Sequence, residues 1–139
     1  MTSPQLRNGS KSRIQSYRDL IVWQKARKLA ASSFALARRL PADEQFGMKP
    51  QMQRAAISVT SNIAEGHGRF GKGDFARHLS IARGSLMELQ NLLEIGADVG
   101  YFEVEAIQAP LSIADEVGRM IFVLVKKLGS RQMLPRTRT

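Results

Sequence analysis

The chain contains no cysteine in its 139 residues. Disulfides and thiolate metal sites are excluded, so burial alone must hold the fold. A single domain of this length can supply such a core. Aromatic residues are few, with one tryptophan and two tyrosines. Long apolar runs are missing as well: the longest, Met120 to Val125, covers six residues. A membrane-spanning helix needs about 20. The N-terminus is polar and basic and lacks the apolar core of a secretory signal, so the expected location is cytoplasmic.

Acidic residues are absent from both ends. Arg7, Lys11, Arg13 and Arg18 precede the first acid, Asp19, and no acid follows Lys126, Lys127, Arg131, Arg136 and Arg138. These nine cations equal the whole formal charge of +9, which leaves residues 19–125 neutral. The charge that would attract a partner therefore lies at the termini. Residues 1–16 and 129–139 read as disordered basic tails flanking one folded unit, residues 17–128.

Helical periodicity dominates that unit. A first helix is expected over 20–40, capped by Asp19 and stopped by Pro41. Val22, Trp23, Ala26, Leu29, Ala30, Phe34 and Ala37 form its inward stripe. A second, over 49–65, carries Pro50 in its first turn, where a missing N–H is harmless. Its small residues, Ala55, Ala56, Ser58, Ser61 and Ala64, lead to Gly66 and allow close packing. A third is expected over 74–99 with Asp74 as N-cap. Phe75, Leu79, Ala82, Leu86, Leu89 and Leu93 step at heptad spacing, as a bundle seam requires. Gly84 and Ser85 interrupt it. A mid-helix glycine is about 0.5–1 kcal/mol worse than alanine, which points to close approach of a neighbouring helix at Gly84. A fourth helix is expected over 103–128, with Val104, Ile107, Leu111, Ala114, Val117, Ile121 and Leu124 inward. Pro110 should kink it or delay its start. No strand pattern competes.

Four helices with short connections make an all-α, antiparallel, up-down-up-down bundle. In that arrangement both basic tails and the 66–73 loop emerge at one end. Lys25, Lys28, Arg69, Lys72, Arg77, Lys126 and Lys127 cluster there as candidate nucleic-acid contacts. The opposite end carries more acids. Met120 to Val125 is apolar around the full helix circumference, more than one buried stripe requires, so self-association is expected.

Other chemistry finds little support. The glycine-rich loop from Gly66 to Gly73 fits two phosphate motifs in spacing, but a helix precedes it where those motifs need a strand. Gly73 also replaces the hydroxyl that would hold magnesium. Arg69, Lys72 and backbone N–H groups can still meet nucleic-acid phosphates, and Phe70 can stack on an unpaired base. His67 and His78 lack metal-ligand spacing, and no Glu-x-x-His pair exists, so neither metal nor cofactor is expected. Asp74, one turn before His78, suggests a surface pair. Asn62 and Glu65 border the apolar stripe and would need partners, with Arg54, Arg69 or Arg77 the candidates. No nucleophile constellation is visible, so the chain does not read as an enzyme.

Several blocks carry a resemblance. Tyr17 to Leu20 and Trp23 to Ala26 form the first, followed by Phe46-Gly47, Gln51, Arg54 to Ala56, Ser58 and Asn62 to Gly66. The last comprises Ala82, Gly84 to Leu86, and Glu88-Leu89. Together they resemble the bacterial four-helix-bundle proteins encoded within intervening sequences of 23S ribosomal RNA genes. Thr60 departs from that pattern, which often has proline there. The resemblance implies a four-helix bundle in a pentameric ring without established activity. It extends structurally to the accessory protein of diversity-generating retroelements, which binds nucleic acid and a reverse transcriptase. The resulting expectation is a non-catalytic, oligomeric nucleic-acid-binding accessory protein, RNA ahead of DNA. The alternative is an oligomeric scaffold engaging an acidic protein partner.

Overall fold

A computed structural model describes the backbone of residues 13–136 and side chains as far as Gly129. Four α-helices account for most of it: α1 (Ile21–Ala37), α2 (Met48–Gly68), α3 (Lys72–Asp98) and α4 (Val104–Arg136). Each packs on its neighbour in the sequence, and α4 closes against α1. The described residues contain no strand.

The first helix starts one step later than its sequence suggests. Asp19 does not cap α1. It closes a preceding 3-10 turn, Tyr17–Asp19, where its carboxylate accepts from the N–H groups of Gln15 at 3.0 Å and Ser16 at 3.2 Å. The Ser16 hydroxyl accepts from the Arg18 N–H in turn. This ties down the last residues of the basic N-terminal arm; its residues 1–12 lie outside the described part. The helix ends at Ala37 rather than Leu40. Pro41 disfavours helical geometry in the residue before it and offers no N–H to close a further turn. Residues 38–40 form a looser turn instead, with Arg39 N–H bonded to Leu36 C=O at 2.9 Å.

Between α2 and α3 the helices overrun the expected loop. Gly66, His67 and Gly68 belong to α2, and Lys72 and Gly73 to α3, which leaves only Arg69–Gly71 as the connection. Asp74 lies in the first turn of α3, not at its cap, which is Gly71. At Gly66 a β-carbon would stand 2.6 Å from His78 Cβ and 3.0 Å from a Phe75 ring carbon. Glycine is needed there because α3 comes too close for any side chain. Gly84, expected to serve that purpose, is exposed, and a β-carbon on it would meet nothing within 4 Å. Close approach falls at the helix end, not at the middle of the seam.

Helix α3 ends at Asp98, and the chain turns away at Gly100, whose φ of +88° favours glycine. The N–H of Tyr101 reaches back to the Gly96 carbonyl at 2.8 Å. Helix α4 begins at Val104, before Pro110, so the proline does not delay its start; it continues to Arg136, past the expected end near Leu128. Pro110 costs one backbone bond, to the Ala106 carbonyl, and the ring itself is buried.

The heptad residues Leu79, Ala82, Leu86, Leu89 and Leu93 are fully buried, with Met52, Ala55, Ala56, Val59 and Ile63 of α2. Ala26, Leu29, Ala114, Val117 and Ile121 complete the core from α1 and α4. Trp23 and Phe34 are only half-buried, and Val104, in the first turn of α4, is exposed.

Candidate nucleic-acid interface

The basic residues fall into two groups. Lys28, Arg69, Lys72, Lys126 and Lys127 are exposed, and none pairs with a described acid. Arg69 lies in the short α2–α3 connection beside Phe70, whose ring is wholly exposed, and Lys72 opens α3. Phe70 does not pack back on its helix end. Arg69 and Lys72 flank it in the sequence, and its ring lies open to solvent. Lys126 lies 5.7 Å from the Phe122 ring centroid, within cation–π range.

The other two candidates are engaged. The Lys25 ammonium lies 3.2 Å from Glu116 on α4, so its charge is largely offset within the chain. Arg77 lies 3.6 Å from Asp74 one turn earlier, and 3.5 Å from His78 Nε2.

His78 is the main departure from expectation. It is not paired with Asp74 on the surface but is buried in the α2–α3 interface. Its Nδ1 lies 2.9 Å from Asn62 Oδ1. The Asn62 amide donates to the Ser58 carbonyl at 2.9 Å and to the Ser58 hydroxyl at 3.2 Å. Ser58 shares a 2.7 Å hydrogen bond with Ser85. Glu65 Oε1 stands 3.8 Å from His78 Nδ1. Asn62 and Glu65 thus find His78 and Ser58, not the arginines. Helices joined by such a chain are held in one register, because each polar group is stranded if they slide. Asn62 falls one turn after Ser58, and Ser85 two turns after His78. That spacing is the signal the sequence carries; the cross-helix match is not in it.

A second feature is invisible to periodicity. Tyr17, Trp23 and Arg27 face Thr60, Ser61 and Ala64 of α2 across a cleft of about 260 Å³. The Tyr17 and Trp23 rings meet edge to face at 5.0 Å, with the Arg18 guanidinium 4.7 Å from Tyr17 and that of Arg27 5.4 Å from Trp23. The helical spacing places Trp23 in the core stripe, which hides that it also lines this cleft.

Away from these groups, Glu44 joins the two loops of the opposite end. It accepts from the Met48 N–H at 2.8 Å and the Tyr101 hydroxyl at 2.8 Å. The Met48 bond, followed by the Tyr101 bond, holds its carboxyl below the usual carboxylate range. The same contact, with smaller effects of burial and of the Glu44 and Asp43 charges, raises the Tyr101 phenol.

Among the described residues, no three His, Asp or Glu side chains gather as a metal-binding group. No described helix is long and apolar enough to cross a membrane.

An all-α protein of four packed helices, with a part-buried polar chain between the second and third, is the class this structure defines. Residues 18–123 match the 23S rRNA-intervening sequence protein family, and the chain belongs to that family. Among solved structures, it is similar to a Bacteroides thetaiotaomicron protein of unknown function from the S23 ribosomal protein family. The two share 25% identity at a TM-score of 0.71, over 76% of this chain and 99% of that one. The comparison with curated proteins gives no match.

Proposed function

We propose that this protein is a non-catalytic, oligomeric nucleic-acid-binding accessory protein of the cytoplasm, with RNA favoured over DNA. The observation that carries this reading is a set of five exposed cations that pair with no described acid. They are Lys28, Arg69, Lys72, Lys126 and Lys127, with Phe70 exposed among them. Phosphate contacts give affinity without sequence preference, and no element built to read base edges accompanies them among the described residues. The family's link to 23S rRNA favours RNA, as does the S23 ribosomal family of the structural neighbour.

In this reading the helices run up-down-up-down and place these cations at one end. The cross-helix pairs support it. Ser58 meets Ser85 while Asn62 meets His78, so sequence rises on α2 as it falls on α3; Gln90 meets Asp115 while Gly118 lies beside Leu86, the same sense between α3 and α4. The exposed Phe122 and Val123 supply an assembly surface, and a five-membered ring is the form the family resemblance suggests. Such a ring would multiply weak contacts through avidity.

The test is a binding series with single-stranded, duplex and structured RNA at several salt concentrations. Neutralising Lys28, Arg69 and Lys72 together should weaken binding and leave helicity intact. The salt slope should fall by about 0.7–0.9 for each phosphate that no longer meets a cation. Neutralising Arg38, Arg39 and Lys49 removes equal charge elsewhere. Equal weakening there would reduce the attraction to overall charge. If no RNA or DNA binds at low salt, the scaffold for an acidic protein partner replaces this reading.

A further inference from the structure

We infer that the cleft between Trp23 and α2 is a stacking site for one unpaired base of a single-stranded RNA. This rests on the nucleic-acid reading above and names a subsite within it. Three observations converge. The walls are chemically unlike: aromatic rings and a guanidinium on one side, and Thr60, Ser61 and Ala64 on the other. Bases stack on aromatic and guanidinium planes, while hydroxyls can meet the polar base edge. The volume, about 260 Å³, lies below the roughly 300–1,000 Å³ of drug-sized pockets and suits one planar ring system. The small α2 residues keep the cleft open, since any long side chain at Ser61 or Ala64 would fill it.

Charge agrees. Arg27 lines the cleft and Arg18 lies over the neighbouring Tyr17 ring, so two cations stand close to the phosphates of a seated nucleotide. The acids nearest in sequence are turned elsewhere. Asp19 is bonded to the Gln15 and Ser16 N–H groups, and Glu65 points toward His78. Half-burial of Trp23 also fits: the residue packs against the core yet keeps part of its surface exposed.

Trp23 is the single tryptophan, so its fluorescence reports this cleft alone. The probes are an oligouridylate and an abasic oligomer with the same number of phosphates, each titrated into full-length protein. Fluorescence anisotropy of end-labelled oligomers reports binding independently. The oligouridylate should quench Trp23 and bind at least about fivefold tighter than the abasic oligomer, the low end of base–aromatic stacking. Ser61→Leu, on the exposed face of α2, should abolish the quench and that difference while the circular dichroism stays unchanged. Binding of both oligomers without quenching, or with equal quenching, overturns the base site and leaves the phosphate-binding reading standing. Binding of neither at low salt overturns both. Emission that changes with protein concentration alone places a second copy in the cleft and overturns the base site.

Discussion

His78 Nδ1 on α3 lies 2.9 Å from Asn62 Oδ1 on α2, across sixteen residues of sequence. Arg77 approaches the other ring nitrogen at 3.5 Å. A guanidinium donating to Nε2 matches the tautomer with its proton on Nδ1, which donates to Asn62. The Asn62 amide then faces Ser58, consistent with its two bonds to that residue.

Removing Asn62 should therefore cost more than removing the far end of the chain. Asn62→Leu strands the buried His78 N–H and should destabilise by about 1–3 kcal/mol. Ser85→Ala leaves Ser58 its bond from Asn62 and should cost about 1 kcal/mol or less. Urea unfolding of the two variants checks the order; equal midpoints would remove the register role assigned to the network.

Two glycines should respond with opposite signs. Gly66→Ala forces a methyl against His78 Cβ and should destabilise by about 1–3 kcal/mol. Gly84→Ala meets nothing and should stabilise by about 0.5–1 kcal/mol through helix propensity. Thermal melts of both variants at one protein concentration check this. A destabilised Gly84→Ala protein would restore a contact at that position, supplied by another chain.

The contrast shows what periodicity can and cannot reveal. The Phe75 to Leu93 heptad is legible because burial along one helix depends only on its own spacing: its positions from Leu79 to Leu93 are buried as expected, and only Phe75, at its start, is half-buried. Whether Gly66 or Gly84 faces a neighbour depends on the relative register of two helices, which neither helix encodes alone. The same gap hides Ser58–Ser85 and Asn62–His78, although Asn62 and Ser85 both stand out in the sequence. The α2–α3 turn is shorter than its glycines suggest, because Gly66, Gly68 and Gly73 lie within helices. Charge is more legible: Lys28, Arg69 and Lys72 are exposed, as cations nearly always are. The engagement of Lys25 by Glu116 needs the fold.

The Glu44–Tyr101 contact predicts a pH dependence with two limits. Glu44 is lowered in the folded state, so its contribution is complete above its ordinary value of 4.5 and fades as pH falls through the lower folded value. Tyr101 is raised, so its contribution is complete below 10.0 and is lost as pH rises through the higher folded value. Glu44→Gln should flatten the acid limb of a melting-temperature profile. Tyr101→Phe should flatten the alkaline limb. An unchanged profile in both would show that the contact does not persist in solution.

Assembly gives the last prediction. In Met120 to Val125, only Ile121 is fully buried; Met120, Leu124 and Val125 are half-buried. Phe122 and Val123 remain 58% and 50% exposed within one chain. Val123 also borders a groove of about 600 Å³ lined by Ile14, Ile21, Met120 and Leu124. Neighbouring side chains of the same subunit therefore do not cover the excess apolar surface. Burying it against a second copy contributes about 25 cal/mol per Å², so two adjacent large side chains on each partner can anchor a contact. Val123→Glu should shift the species toward monomer, because a charge cannot enter a dry interface without a partner. Phe122→Glu should do the same if its ring lies in the contact, and Ile57→Glu, an exposed apolar position on α2, is the comparison. Light scattering with matched circular dichroism separates dissociation from unfolding. An unmodified protein that is monomeric at micromolar concentration defeats the assembly reading, and the avidity assigned to the basic end falls with it.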